Sequence, residues 1–528
     1  MLISAAKLLK LEKKALTLHD IFSRMAEKAP DITPDIPQES DATYDHVLKY
    51  TGLFGGVQGI TILVSVVRNK IVSELLGPSG LALINIFNNV TKLVNQSTNF
   101  GLSFSAVKHV AELFDHGSTE ELKDFARTVR TWSVLTALLG VLVGFVLSSS
   151  ISYWTFGSYD YTRHFLLLSL IVGMLAVQGG EIAILKGMKQ LKKVALISVY
   201  GAIATLFICV PIYFAIGAKG IVPSLLLCNA AILAIHLHFS NKVMPWSTSL
   251  FSRTEYVNGI PMLKLGMGYI IAGIFGQGAE YVIRTLILRF GELADVGLYT
   301  SGYTLAVTYA NIVFIAFEAD YFPRLSASQH KLTRQNRTVN QQVEVSVLLM
   351  APVLIFFVLA MHLILPLLFS TKFEGAIPMA ICASFFMFFK ALTLPVAYLS
   401  LAKGDSRMYM MTELIYDIFI ALAIPFAFKW WGLEGSGWAL SAGGLLDMLL
   451  IHTIYRQRYG YHFDLSKVKL YIVQFVCFAV AVFAALHENP WLKIVTAVML
   501  IVSGSISFHV LKKETTILLK LKKRLWRK

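Results

Sequence analysis

Charge is scarce in this sequence. Asp, Glu, Lys and Arg make up 15% of its 528 residues, against about a quarter in a soluble protein of ordinary composition. That shortage excludes a solvated globular surface over most of the chain. Cysteine is nearly missing too. Cys209, Cys228, Cys382 and Cys477 each stand alone inside an apolar stretch. No disulfide framework or thiolate metal centre is written there, and the thiols read as small core hydrophobes. Catalytic motifs are also lacking. No Gly-x-x-x-x-Gly-Lys phosphate loop, His-Glu-x-x-His zinc pattern or nucleophile elbow occurs, and no segment is left over for a soluble catalytic domain. An enzyme is not expected, nor is a cofactor, a bound metal or an ATPase carried on the same chain.

What is present is apolar length. The chain is 56% hydrophobic with a mean hydropathy of +0.63. Runs such as Thr131–Ser149, Phe165–Gly180 and Val345–Leu368 carry no charge at neutral pH. Each is long enough, or nearly so, to cross a hydrocarbon core of roughly 30 Å. Such runs recur without a polar face, the pattern of helices surrounded by lipid and protein. The expectation is an all-α polytopic membrane protein with about 14 transmembrane helices. Spans are placed near 50–76, 80–106, 130–153, 163–186, 194–216, 220–240, 262–289, 296–322, 342–369, 375–402, 408–430, 435–455, 468–486 and 491–511.

The 47 Lys and Arg residues test that count. With the N-terminus inside, 36 fall in cytoplasmic segments, seven outside and four within spans. This is the bias of the positive-inside rule, and one missed span would scramble it. Fourteen spans with both termini cytoplasmic fits. The formal charge of +15 is then topology and attraction to anionic membrane lipids, not nucleic-acid recognition. Met1–Lys28 mixes leucines and lysines like an amphipathic surface helix, and Pro30–Asp45 reads as a disordered linker.

The two halves echo each other. Arg68 and Arg284 are 216 residues apart, Lys186-Gly187 and Lys403-Gly404 217, Pro211 and Pro425 214, and the Gly217-x-x-Gly220 and Gly432-x-x-Gly435 turns 215. An offset spanning six helices, an even number, makes corresponding helices run the same way. The repeats are therefore parallel, with a site expected between them. The expected organisation is a cytoplasmic tail (1–48), an N-lobe of six helices (49–243), a C-lobe of six (244–459), and helices 13 and 14 with a basic tail (460–528).

Polar side chains inside a membrane are expensive, so their placement is informative. Span 1 carries Gln58, Thr61, Ser65 and Arg68 on one face. Span 2 carries Asn85, Asn89, Lys92, Gln96 and Asn99 on one face, widened by Asn88 and Asn95. Span 7 answers span 1 with Gln277, Glu280 and Arg284. Span 8 answers span 2 with Ser301, Thr304, Thr308, Asn311 and Glu318. A cavity shared by the two lobes would need polar stripes on these helices. Each has a plainer reading: Glu280 and Arg284 at i, i+4 are also a structural ion pair, and single Ser or Thr residues join helices by hydrogen bonds. Arg68 and Lys92 have no acidic neighbour on their own helices, which favours an anionic ligand. Glu413 and Asp417 on span 11 could hold a coupling cation or proton, or be paired with Lys390. Glu181 with Gln178, and Asp447, are weaker candidates.

Several of these stretches resemble a known group. Arg68-Asn69-Lys70 before Leu75-Leu76-Gly77-Pro78-x-Gly80-Leu81, followed by Asn99-Phe100-Gly101-Leu102-Ser103, looks like the first two helices of polysaccharide flippases. So do Ile184-Leu185-Lys186-Gly187-Met188-Lys189 and Gly291-x5-Gly297-Leu298-Tyr299. These are O-antigen-type (Wzx-type) translocases of the multidrug/oligosaccharidyl-lipid/polysaccharide exporter superfamily, and the resemblance covers about residues 48–510. It implies two six-helix lobes around a cationic cavity in a bacterial inner membrane. It also implies alternating access for an undecaprenyl-diphosphate-linked glycan, moved from the cytoplasmic to the periplasmic leaflet, with polysaccharide polymerase machinery as a partner. Arg68, Lys92 and Arg284 would meet the diphosphate, the Asn/Gln face of span 2 the sugar, and helices 13 and 14 the lipid tail. Fourteen spans, where many O-antigen flippases have about twelve, and the N-terminal tail depart from that pattern. The alternative is a cation-coupled multidrug antiporter of the same superfamily, supported by Glu280, Glu413 and Asp417. A membrane glycosyltransferase would need a long outside loop with acidic residues, and none of the proposed outside loops is long enough.

Overall fold

The computed structural model describes residues 40–246, 253–328, 331–487 and 490–514, with side chains from Gly59 onward apart from short stretches in α7 and α9 and at segment ends. The chain divides into two units, Met1–Gly56 and Val57–Lys528, and the second carries the helical bundle. The proposed surface helix over Met1–Lys28, most of the proposed linker, and the C-terminal end of the basic tail lie outside the described residues, as do the side chains of Gln58 and Glu318.

Every regular element among the described residues is helical. They are α1 (Ser40–Thr98), α2 (Leu102–His116), α3 (Thr119–Phe156), α4 (Thr162–Gly187), α5 (Leu191–Ile216), α6 (Ile221–Asn241) and α7 (Arg253–Phe290). Next along the chain come α8 (Leu293–Tyr303), α9 (Asn311–Ser328), α10 (Leu332–Leu368), α11 (Ile377–Ala402), α12 (Ser406–Tyr459), α13 (Val468–Ala485) and α14 (Pro490–Glu514). Two of these each hold two spans. A non-helical glycine divides α1 at Gly77 (φ 65°) and α12 at Gly432 (φ 63°). At positive φ a side chain on Cβ collides with its own backbone, so glycine is the residue that makes these breaks cheaply.

With those divisions, each proposed span has a helix in its place. Among the described residues, eight helical segments are long and apolar enough to cross a membrane, and two of them, Leu191–Asn241 and Ser406–Tyr459, each contain two successive helices. The protein is an all-α multi-pass membrane protein. The helices overrun the apolar core at their ends: α3, α7 and α10 begin at Thr119, Arg253 and Leu332, well before the spans expected from residues 130, 262 and 342. Hydropathy registers only the apolar stretch, whereas the helix continues beyond it. Ser118 caps α3, its hydroxyl accepting from the Glu121 N–H while Glu121 accepts from the Ser118 N–H. The first helix also begins early, at Ser40, so residues 40–45 are helix and not linker.

Two expectations are corrected inside spans. Span 2 does not run unbroken to 106. It stops at Thr98, where Phe100 (φ 50°) and Gly101 (φ 68°) turn left-handed and the Asn99 carboxamide accepts the Gly101 N–H at 2.8 Å. Span 8 is interrupted by a π-turn over Thr304–Tyr309 that separates α8 from α9.

Element boundaries recur at a fixed offset. Helices α4 and α11 have 26 residues each and begin 215 apart, at Thr162 and Ile377. Helices α5 and α12 begin 215 apart, at Leu191 and Ser406. Gly217 (φ 56°, ψ −137°) and Gly432 (φ 63°, ψ −153°) share an unusual conformation at the same separation. Among the described elements, α7 packs against α2 and α3 from the first half and α12 from the second.

Candidate functional site

Arg68 opens onto a cavity of about 170 Å³. Its polar walls come from span 1 (Asn69), span 2 (Asn85, Asn88) and span 8 (Thr300, Thr304), closed behind by Tyr213, Cys209 and Cys228 of α5 and α6. The Arg68 guanidinium donates to Asn69 Oδ1 at 3.0 Å. Asn69 in turn bonds the hydroxyl of Tyr309, the last residue of the π-turn. Among the described residues no carboxylate lines this cavity. A guanidinium offers donors and no acceptor, so with amide and hydroxyl neighbours it is left with capacity for an anion.

Asn89 faces away from this cavity toward span 7. Its amide donates to Glu280 Oε2 at 3.4 Å, and the same carboxylate accepts from Arg284 Nη1 at 2.9 Å. Among the described residues, two polar atoms here are buried without a hydrogen-bond partner, Asn89 Oδ1 and Arg284 Nε. Tyr299 and Tyr303 lie within electrostatic reach of both charges. The asparagine stripe of span 2 is thus a shared wall, with Arg68 on one side and the Glu280–Arg284 pair on the other. Further along, Gln96 lies against Gly273 so closely that a Cβ there would sit 1.9 Å from its Nε2.

The remaining candidates are dispersed. Lys92 is exposed, and Gln277 and Asn311 are half-buried; the side chains of all three lack hydrogen bonds among the described residues. Glu413 and Asp417 share a helix face and lie within electrostatic reach of each other. Glu413 accepts from Tyr409 and lies within reach of Lys390, which also faces Asp447. Asp417 borders Gly276, whose Cβ would come 3.5 Å from its carboxylate, and faces Glu280.

Contacts between the halves bracket this region. On the face poor in basic residues, Lys70 donates to Pro366 O at 2.8 Å, Ser370 to Glu74 at 3.1 Å, and Lys372 to Glu74 O at 3.0 Å. There the backbones of Pro78 and Gly297 meet: a Cβ on Gly297 would fall 2.0 Å from Pro78 O. Toward the other face Gly101 and Gly266 touch in the same way.

Glu181 was a weaker candidate, but its partner Arg130 was not anticipated. Arg130 and Glu181, each 1% exposed, form a buried pair at 3.0 Å. The guanidinium also donates to Met244 O at 2.7 Å and Pro245 O at 3.0 Å, and stacks on Trp246 at 4.9 Å. Ser240 bonds Glu181 as well. Next door, Glu255 at the start of α7 accepts from Thr131 at 3.0 Å, and its carbonyl from Trp132 at 3.3 Å. The amino end of α3 therefore holds the connection from α6 and the start of α7.

A family model described as polysaccharide biosynthesis protein matches residues 71–378, more than half of the chain. The chain belongs to this family. The lipid III flippases of Escherichia coli K12 and Shigella flexneri are each 22% identical to this family member over 356 residues, 65% of its chain and 82% of theirs. Among solved structures, the lipid II flippase MurJ in an inward closed conformation superposes with a TM-score of 0.66 at 12% identity, covering 88% of this chain and 99% of that one. An inward-facing multidrug resistance MATE transporter of the MOP superfamily gives 0.65 at 12% identity, covering 75% and 94%. These likenesses show the fold, that of MOP-superfamily transporters. The relatives are flippases and transporters, not catalysts.

Proposed function

We propose that this protein is a flippase that moves an undecaprenyl-diphosphate-linked oligosaccharide, an O-antigen or other surface polysaccharide unit, from the cytoplasmic to the periplasmic leaflet of a bacterial inner membrane. The observation that carries the reading is the Arg68 cavity, a guanidinium beside asparagine and threonine with no carboxylate in its lining among the described residues. A diphosphate matches the cation, and sugar hydroxyls match the amides. A site for cationic drugs would reverse that polarity. Membership of a polysaccharide biosynthesis family supports the same cargo class.

In this reading the spans form two parallel six-helix lobes, residues 49–243 and 244–459, a division supported by the 215-residue recurrence of helix starts and glycine turns. Both termini are cytoplasmic. The cargo enters from the basic face, the diphosphate reaches Arg68, and Lys92, exposed on the same helix as Asn85 and Asn89, draws it in. Release requires the contacts of Lys70, Glu74, Ser370 and Lys372 to part and the lobes to rock about the site. Glu413 and Asp417 are the groups for a coupling proton or cation, with Asp417 nearer the cavity wall through Glu280.

Two experiments test this. Cells depleted of the protein should accumulate the lipid-linked glycan on the cytoplasmic leaflet and lose surface polysaccharide. Unchanged glycolipid with new sensitivity to cationic dyes would instead assign a multidrug antiporter. Arg68→Lys should retain part of the activity that Arg68→Ala and Arg284→Ala lose, and equal activity of the three removes the diphosphate assignment.

A further inference from the structure

The hydrogen bond that holds Arg68 leads across the molecule. Among the described residues its guanidinium bonds the Asn69 carboxamide alone, Nη2 donating to Oδ1 at 3.0 Å. The same carboxamide bonds the hydroxyl of Tyr309. Asn69 lies in span 1, in the first half of the sequence repeat, and Tyr309 in span 8, in the second. Arg68, Asn69 and Tyr309 therefore form a bridge between the halves, with an anion-seeking group at one end.

Arg68 is the charged member of this bridge, and the bridge depends on it. A cation bonded to one end of a carboxamide polarises it and strengthens the bond made by the other end. It also fixes the carboxamide plane, because the terminal torsion of asparagine is broad and sets no orientation by itself. A phosphate oxygen competes for the same guanidinium and outbids a neutral amide oxygen, since that bond is charge-assisted from both sides. Once Arg68 turns to an anion, the carboxamide is free to rotate and its bond to Tyr309 weakens.

The far end is placed to respond. Tyr309 is the last residue of the π-turn Thr304–Tyr309, and Thr304, at the start of that turn, lines the Arg68 cavity. Such turns are rare and occur mostly at functional sites. Arg284, the counterpart of Arg68 in the repeat, offers no equivalent handle. It is bonded to the Glu280 carboxylate at 2.9 Å, so its charge is met before cargo arrives, whereas Arg68 has no ion pair among the described residues.

We propose that Asn69 and Tyr309 are positioning residues that couple occupancy of Arg68 to the separation of the halves. An anion that takes the guanidinium releases the bridge and favours the form in which the contacts of Lys70, Glu74, Ser370 and Lys372 have parted. The coupling rests on Arg68 being the anion ligand of the cargo site. Linkage makes it reciprocal: a variant that lacks the bridge binds the anion more tightly.

The test uses the full-length protein in lipid nanodiscs with undecaprenyl diphosphate as the probe. Lys219→Cys and Trp431→Cys, both at exposed positions on the weakly basic face, carry spin labels, and the four native thiols are buried. Pulsed electron resonance should show the labels moving apart when the probe is added. Tyr309→Phe should populate the parted distance about fivefold more without probe and bind the probe about fivefold more tightly, the worth of one hydrogen bond. Asn69→Ala should do the same, whereas loss of a merely structural contact leaves binding unchanged or weaker. A Tyr309→Phe protein that matches the wild type in distance and affinity, or binds more weakly, overturns the coupling; loss of binding in Arg68→Ala then leaves the anion assignment standing. Equal binding by wild type and Arg68→Ala overturns the anion assignment, and the coupling with it.

Discussion

Replacing Glu181 with Gln leaves the Arg130 guanidinium buried beside an uncharged amide. Breaking a buried ion pair from one side costs about 3–5 kcal/mol, because the remaining charge keeps its desolvation penalty. Arg130 still donates to the carbonyls of Met244 and Pro245, so the low end, about 3 kcal/mol, is expected. Unfolding entropy of about 2.1 cal/mol/K per residue, over the unit Val57–Lys528, sums to about 1 kcal/mol/K. The melting temperature should therefore fall by about 3 °C. A transition that leaves helices intact releases less entropy and shifts further, so this is a lower limit. The assay needs no engineering, since Cys209, Cys228, Cys382 and Cys477 are free, buried thiols. A thiol-reactive dye that fluoresces on their exposure reports the transition. The control is Arg130→Met with Glu181→Leu, which removes both charges and should restore or exceed wild-type stability. By contrast Asp115→Asn, which breaks the exposed Lys189 pair at 2.6 Å, should move the midpoint by less than about 1 °C. A Glu181→Gln protein melting with the wild type, or a double variant as unstable as the single, would refute the reasoning.

Gly297→Ala places a methyl group against Pro78 O, a backbone atom that cannot turn aside. It should part the mouth on the weakly basic face, and an Asn85→Cys probe should label at least about fivefold faster from that side, a shift of about 1 kcal/mol between states. Unchanged labelling would show that this contact does not close the cavity. Gln474 on α13 accepts from Ser503 on α14 at 2.5 Å and donates to Ser507 at 3.1 Å, so Gln474→Leu should cost about 1 kcal/mol, read in the same thiol assay. At the turn before α12, burial raises the Asp405 carboxyl, but hydrogen bonds from Arg458 and Tyr459 outweigh it and hold it below the ordinary 3.8. A lowered carboxylate stabilises the fold above its unfolded value and loses that contribution as pH falls through the folded value. The stability gap between wild type and Asp405→Asn should then narrow below about pH 4, and a gap constant down to pH 3 would contradict it.

The spans were legible because lipid removes ambiguity: a helix must be apolar along its whole buried length. Gly77 and Gly432 were legible as turns for a related reason, since each sits with further glycine or proline between two apolar runs. The break after Thr98 carried a readable signal as well, an Asn-Phe-Gly sequence of the kind that ends helices, but the apolar residues beyond it extended the span to 106. Arg130 went unseen because it borders an apolar run, where a cation reads as a cytoplasmic flank. The clue lay in its partner. Glu181, inside a span with no cation one turn away, needed a counter-charge, and only the tertiary fold brings one from 51 residues earlier. Glu413 and Asp417 show the converse limit. Their i, i+4 spacing put both on one face, within reach of each other, but could not show that Glu413 also meets Lys390 while Asp417 also meets Glu280. Nothing in the residues of 304–309 announces a π-turn.

That turn has a mechanical consequence. A π-turn is one residue too many wound into an otherwise regular spring, equivalent to about 100° of rotation in a helix of 3.6 residues per turn. The surplus in span 8 lies beside Arg68, with Tyr309 held to span 1 through Asn69. Like a dislocation in a crystal, such a defect slides by exchanging hydrogen bonds a few at a time, so the two ends of one membrane helix can be turned against each other without the helix ever unravelling.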